Sequence, residues 1–178
     1  MRRSVGGVVA VFLSALAACG GADTSDVTAK EALVSNGGGH TIRHDGDTPL
    51  GTSLHRSAPA LVLRKGAKPI QLDAISYVDA PAAVEVAPAV CYHFADTHNA
   101  DALGWVGSSL LSSPQAVSHP ATTVTVTGAT EPSDWCGLTV IAHQPGSYAL
   151  KHVRIDYHDS TGRHEQDFTD WGLDFTAM

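Results

Sequence analysis

Apolar and polar residues alternate in short runs from Leu61 to Phe175, and such runs are missing before Ser57. Leu61-Val62-Leu63 reads as a first strand, followed by Ile70, Leu72 and Ala74. At Ala74-Ile75 the phase slips and resumes as Ile75 and Tyr77, which predicts a bulge. Val84, Val86, Val90, Tyr92 and Phe94 share one face at period two, with Pro88 marking an edge or a kink. Thr122, Val124 and Val126 alternate with threonines, and Leu138, Val140 and Ala142 form the next strand. Tyr148 and Leu150 lie on one phase and Val153, Ile155 and Tyr157 on the other, so a hairpin bulged at Lys151-His152 is expected. Asp159-Ser160-Thr161-Gly162 has the residue types of a turn. Residues 163–168 then return, and Trp171, Leu173 and Phe175 finish the pattern. About seven or eight short strands with almost no helical periodicity predict an all-β, antiparallel β-sandwich over residues 58–178.

Residues 19–57 have a different texture. No aromatic side chain occurs there, and Gly20-Gly21, Asn36-Gly37-Gly38-Gly39 and Asp45-Gly46-Asp47 break the chain at short intervals. So little apolar surface cannot offset the entropy of ordering, and a flexible, disordered tether is expected, with at most a marginal helix near residues 28–34.

The N-terminus carries an address. Met1-Arg2-Arg3, the apolar residues 8–15 and the small residues Ala17-Ala18 form a positive region, a short apolar core and a cleavage site. That is the plan of a secretory signal peptide over residues 1–18, too short to be a permanent membrane span. Leu16-Ala17-Ala18-Cys19 resembles the lipobox of bacterial lipoproteins. The resemblance implies lipidation of Cys19, cleavage before it and an extracytoplasmic domain whose partner is the membrane, reached through the lipid. Gly20 stands where an inner-membrane retention signal has Asp, which implies the outer membrane in a two-membrane host.

Charge and cysteine count sharpen this picture. The net charge is −7, and loss of Arg2 and Arg3 with the signal would make the remainder more acidic. An acidic chain with scattered bases excludes a nucleic-acid partner, which needs clustered Lys and Arg. Three cysteines are present, and lipidation of Cys19 leaves Cys91 and Cys136 as a pair for a disulfide. A buried thiol pair or metal ligation are the alternatives. The order Cys91, Trp105, Cys136 resembles the disulfide-plus-tryptophan core of immunoglobulin domains, implying an immunoglobulin-like sandwich; a jelly roll is the other arrangement with this strand count.

Candidate chemistry centres on the ten histidines. His93, Asp96 and His98, with Asp101 beyond, have spacing that could hold Zn²⁺ or Cu²⁺ if the chain turns after Ala95. The opposing reading is a polar loop after a buried strand. His152, Arg154, Asp156 and His158 alternate with apolar residues and are expected on the solvent face of one strand. His164-Glu165 begins a zinc-protease motif, but Phe168 stands at the second histidine. Trp135 and Trp171 follow polar residues and read either as recognition anchors or as plugs for the sandwich ends. The expected function is a lipid-anchored, non-enzymatic recognition, adhesion or assembly module with an unidentified protein or cell-envelope partner. The alternative is a metal-binding or enzymatic domain.

Overall fold

The computed structural model describes residues 31–34, 41–94, 116–128, 134–169 and 171–178. Apart from a 3-10 turn at Ala121–Thr123, their regular structure is strand: β1 Ile42–Thr48, β2 Ser53–Ser57, β3 Ile70–Tyr77, β4 Val84–Phe94, β5 Ala116–Pro120, β6 Thr125–Val126, β7 Asp134–Ala142, β8 Gly146–Leu150, β9 Val153–Asp159, β10 Gly162–Phe168 and β11 Leu173–Ala177. They form three sheets, ordered β1-β11-β8, β10-β9-β3-β6 and β2-β7-β4-β5. Every pairing is antiparallel except β1 with β11. Inward positions of all three sheets meet in one core, including Leu138 and Val140, Ile75 and Ile155, and Leu150, Leu173 and Phe175. The molecule is an all-β sandwich.

Two bulges set which residues face that core. In β3 the register against β9 shifts between Leu72 and Ala74, one residue before the expected slip. The shift keeps both Leu72 and Ile75 buried. In β4 the register against β7 shifts between Ala87 and Val90, around Pro88. A side-chain period of two means that the added residue reverses every later side chain. Ala89 and Cys91 therefore face inward, whereas Val90 is 37% exposed, so the single face expected to run from Val84 through Val90 is corrected accordingly. Without this bulge Cys91 would point away from Cys136.

With it, Cys91 and Cys136 stand directly opposite each other and form a disulfide, their Cα atoms 3.9 Å apart. The bond joins neighbouring strands of one sheet. An immunoglobulin disulfide spans two sheets, and Trp105 lies outside the described residues.

The expected tether boundary also moves. β1 and β2 lie within residues 19–57, and Leu33 is fully buried. β2 places Leu54 and Arg56 inward, and β1 is held by pairing with β11. Of residues 28–34, where at most a marginal helix is expected, 28–30 lie outside the described residues, and Leu33 makes a bridge with Leu63. Leu61-Val62-Leu63 is buried but forms no strand. Nor is Lys151-His152 a hairpin bulge: β8 pairs with β11 and β9 with β3 and β10, so these two residues carry the chain from one sheet to another.

Candidate functional site

Strand register brings together chemistry that is scattered along the chain. His93 on β4 stands opposite Asp134 on β7, and His119 on β5 stands opposite Cys91. The side chains of directly opposed residues share a face, so these groups continue the face that carries the disulfide. His119 Nε2 lies 2.8 Å from Asp134 Oδ1, and His93 Nδ1 lies 3.6 Å from the same oxygen. His119 Nδ1 is 2.9 Å from Thr123 Oγ1, which donates to the Pro120 carbonyl. Both ring nitrogens of His119 are thus occupied, which fixes the ring across the end of the sheet.

Of the expected metal set, His93 is placed here, and Asp96 and His98 lie outside the described residues. Among the described residues no three His, Cys, Asp or Glu side chains are arranged to hold a metal. His119 and Asp134 were not singled out from the sequence, because only the β5-β4-β7 register makes them neighbours.

A second charged surface covers β3, β9 and β10. Arg154, Asp156 and His158 stand on the expected solvent side of β9 and are half-buried. Arg154 makes a bidentate pair with Asp167 (Nε to Oδ1 2.7 Å, Nη2 to Oδ2 3.0 Å) and a further bond with Glu165 at 2.6 Å. At the β3 bulge, Asp73 turns outward and meets His158 Nδ1 at 2.9 Å. A shallow cavity of about 420 Å³ lies over this face, lined by Asp73, Asp156, Arg163, His164 and Glu165. Burial raises the Asp156 carboxyl above its ordinary range, as do the neighbouring Glu165, Asp73 and Asp167, while Arg154 opposes them.

The β9–β10 turn is held by one carboxylate. Asp159 accepts hydrogen bonds from the Thr161 hydroxyl and backbone N–H, the Gly162 N–H and His164. The Thr161 hydroxyl first, then its backbone N–H and His164, hold Asp159 well below the usual carboxylate range. Asp167 is also lowered, chiefly by Arg154. For a depressed carboxylate the stabilisation is complete above the unfolded value of about 4 and is lost as the pH falls through the lower folded value. Unfolding free energy is therefore expected to fall with pH below about 4, and Asp159→Asn, which still accepts hydrogen bonds, should flatten that fall. Urea titrations at stepped pH check this; equal slopes for the two proteins would remove Asp159 from the acid response.

A third place lies at a bulge in β1. The ladder with β11 runs from Arg43 opposite Asp174 to Asp47 opposite Thr176, so His44, Asp45 and Gly46 leave the sheet. Gly46 has φ +105°, a conformation that other residues adopt only with strain. The bulge opens a cleft of about 410 Å³ lined by Arg43, His44, Asp45, Asp47, Tyr148 and Asp174 among others. The Tyr148 ring packs against Phe175, centroids 5.2 Å apart, and its hydroxyl donates to the Gln144 carbonyl at 2.7 Å.

The two tryptophans have different settings. Trp171 donates its indole N–H to the Ser57 carbonyl at 2.6 Å, lies 4.9 Å from the buried Arg56 guanidinium and packs against the core. Its contacts are those of a plug. Trp135 stands opposite Tyr92 on the other side of the sheet from the disulfide and is half-buried.

Comparison with known proteins adds no relative. No protein family, no curated protein and no solved structure matches this chain. Among the described residues no helix is long and apolar enough to cross a membrane.

Proposed function

We propose that the chain is a lipid-anchored protein of a bacterial cell envelope, facing away from the cytoplasm, whose sandwich is a non-enzymatic recognition, adhesion or assembly module. The address rests on Leu16-Ala17-Ala18-Cys19 and on cysteine use: Cys91 and Cys136 are paired, which leaves Cys19 as the thiol for acylation. The observation that carries the recognition part is the cleft at the β1 bulge, whose volume of about 410 Å³ suits a small ligand or a single side chain.

Labelled palmitate fed to cells that make the full chain is expected to enter the protein. Cys19→Ser should abolish the label and shift the protein from the membrane to the soluble fraction. Unlabelled wild-type protein, or a Cys19→Ser protein still in the membrane pellet, overturns the anchor.

The alternative is a Zn²⁺ or Cu²⁺ centre, favoured by the meeting of His93 and His119 at Asp134. Such a centre would have to recruit Asp96 or His98. Stoichiometric Zn²⁺ binding lost in His98→Ala would establish it in place of the recognition reading.

A further inference from the structure

We propose that the end of the molecule carrying the Arg64–Lys68 turn faces the membrane, with Lys65 and Lys68 against the phosphates of anionic lipid headgroups. The proposal rests on the lipid anchor and names the surface that the anchor presents to the bilayer. Its starting point is the place where the chain enters the fold. Leu33 bridges Leu63, Arg64 N–H donates to the Ala32 carbonyl at 2.8 Å, and Arg64 Nη2 lies 3.2 Å from Glu31 Oε2. The segment 31–34 is thus bonded to the residues that open the turn. Cys19 stands only twelve residues before Glu31, and a fully extended chain of that length spans at most about 43 Å. A lipid on Cys19 holds this end, on average, nearer to the bilayer than the rest of the domain.

Charge selects the same end independently. Ala67 N–H donates to the Arg64 carbonyl at 2.9 Å, and Gly66 has φ +89°, the positive value that the third position of a type II turn requires. That turn puts Lys65 at its second position, and both Lys65 and Lys68 are exposed. Lys68 Nζ lies 3.4 Å from Ser160 Oγ, so the β9–β10 turn adjoins this one. Among the described residues neither lysine is in an ion pair. The neighbouring carboxylates are engaged: Glu31 with Arg64, Asp73 with His158, and the 7%-exposed Asp159 with His164 and its own turn. The chain as a whole is acidic, at −7, and carboxylates line both the β1 bulge and the β3-β9-β10 face. Anionic headgroups repel those surfaces and attract the two lysines.

Amine footprinting of the purified lipidated chain, added to preformed vesicles of phosphatidylglycerol and phosphatidylcholine, tests this without any substitution. A membrane-impermeant amine reagent modifies the lysines, and mass spectrometry reads each site. Lys151 is the internal control. It is exposed, and the seven residues of β9 separate it from the turn beside Lys68 by roughly 20–25 Å. Lys65 and Lys68 are expected to react about fivefold more slowly on these vesicles than in neutral detergent, with Lys151 unchanged. The protection should shrink on vesicles of phosphatidylcholine alone. It should also shrink as salt rises from about 0.1 to 1 M, because the screening length falls from about 10 to 3 Å.

Equal reactivity of Lys65, Lys68 and Lys151 on vesicles that the protein has joined overturns the orientation and leaves the anchor standing. Protection of Lys151 in place of the other two does the same, as does protection that is undiminished on phosphatidylcholine alone or in high salt. Protection by inorganic phosphate without vesicles overturns the membrane face in favour of a site for a free anion. A chain that carries no acyl group and does not float with the vesicles removes the anchor, and the orientation with it.

Discussion

Replacing Leu33 with alanine is expected to cost about 3 kcal/mol of unfolding free energy, within the roughly 2–5 kcal/mol measured for fully buried leucines. Leu33 is wholly inaccessible and belongs to the core cluster, although only Glu31–Val34 is described in its neighbourhood of the chain. Its backbone is clamped as closely as its side chain. Leu33 N–H donates to Gln166 Oε1 at 3.0 Å, and Gln166 Nε2 donates back to the Leu33 carbonyl at 2.9 Å. On either side, Ala32 N–H reaches the Tyr157 hydroxyl and Val34 N–H reaches the Val62 carbonyl. Gln166→Ala leaves the Leu33 N–H without its partner, while the Leu33 carbonyl keeps the Arg64 Nε donor at 3.3 Å, so it should cost less, about 1–2 kcal/mol. The two residues act on one contact, so the double variant should fall short of the sum. Urea unfolding of the four proteins checks all three statements. A loss below about 1 kcal/mol for Leu33→Ala would show that this segment is not part of the folded core.

That segment also shows where the sequence pattern stops being readable. Alternation identified β3, β7, β9 and β11 because each carries three or more apolar residues at period two, which only a half-buried strand explains. β1 and β2 have no such signal. In β1 Ile42 is the one apolar residue, and the strand is ordered by its parallel ladder with β11, a long-range contact with no local trace. In β2 an inward position is filled by Arg56, whose charge hides the strand's period. Its guanidinium stacks on Trp171 and donates to the Ser57 hydroxyl at 2.7 Å, so a polar residue occupies a core site through partners supplied by the fold. The opposite error occurs at Leu61-Val62-Leu63, where burial without a sheet ladder produces an apolar run that looks like a strand.

The candidate sites were legible to different degrees. The charged face of β9 followed from period two alone, and the Arg154 pairs with Glu165 and Asp167 bear it out. The His119–Asp134 pair required knowledge of three strands in register, and one bulge at Pro88 decides whether His93 joins them. Asp45-Gly46-Asp47 was visible as a breaker, but not as the bulge that opens a cleft beside Asp174, because their proximity comes from the β1–β11 ladder. Local periodicity is written along the chain, whereas a site assembled across sheets depends on register, and register depends on bulges whose placement moves by one residue.

Loss of the Cys91–Cys136 bond is expected to be the largest single effect, about 4 kcal/mol in the chain-entropy description of a loop with 45 residues of separation. The loop it closes is more than a connection. It contains β5 and β6, and β5 is held to the rest of the molecule through β4. The two sulfurs are also packing atoms, with Cys91 fully buried and Cys136 nearly so. Reduction therefore removes the covalent constraint while leaving both side chains in place, and the Cys91→Ala/Cys136→Ala double variant removes the sulfur volume as well. The reduced wild type should melt roughly 10–20 °C lower, and the double variant lower still. A second readout separates the bond from its packing. Under denaturing, non-reducing conditions the unmodified Cys19→Ser chain should titrate no free thiol, and two after reduction. An unchanged melting temperature on reduction, together with two free thiols beforehand, would mean that the opposed cysteines are not joined. Their alignment depends on the register shift between Ala87 and Val90, so a substitution that restores regular pairing at Pro88 should expose free thiols in an otherwise folded protein.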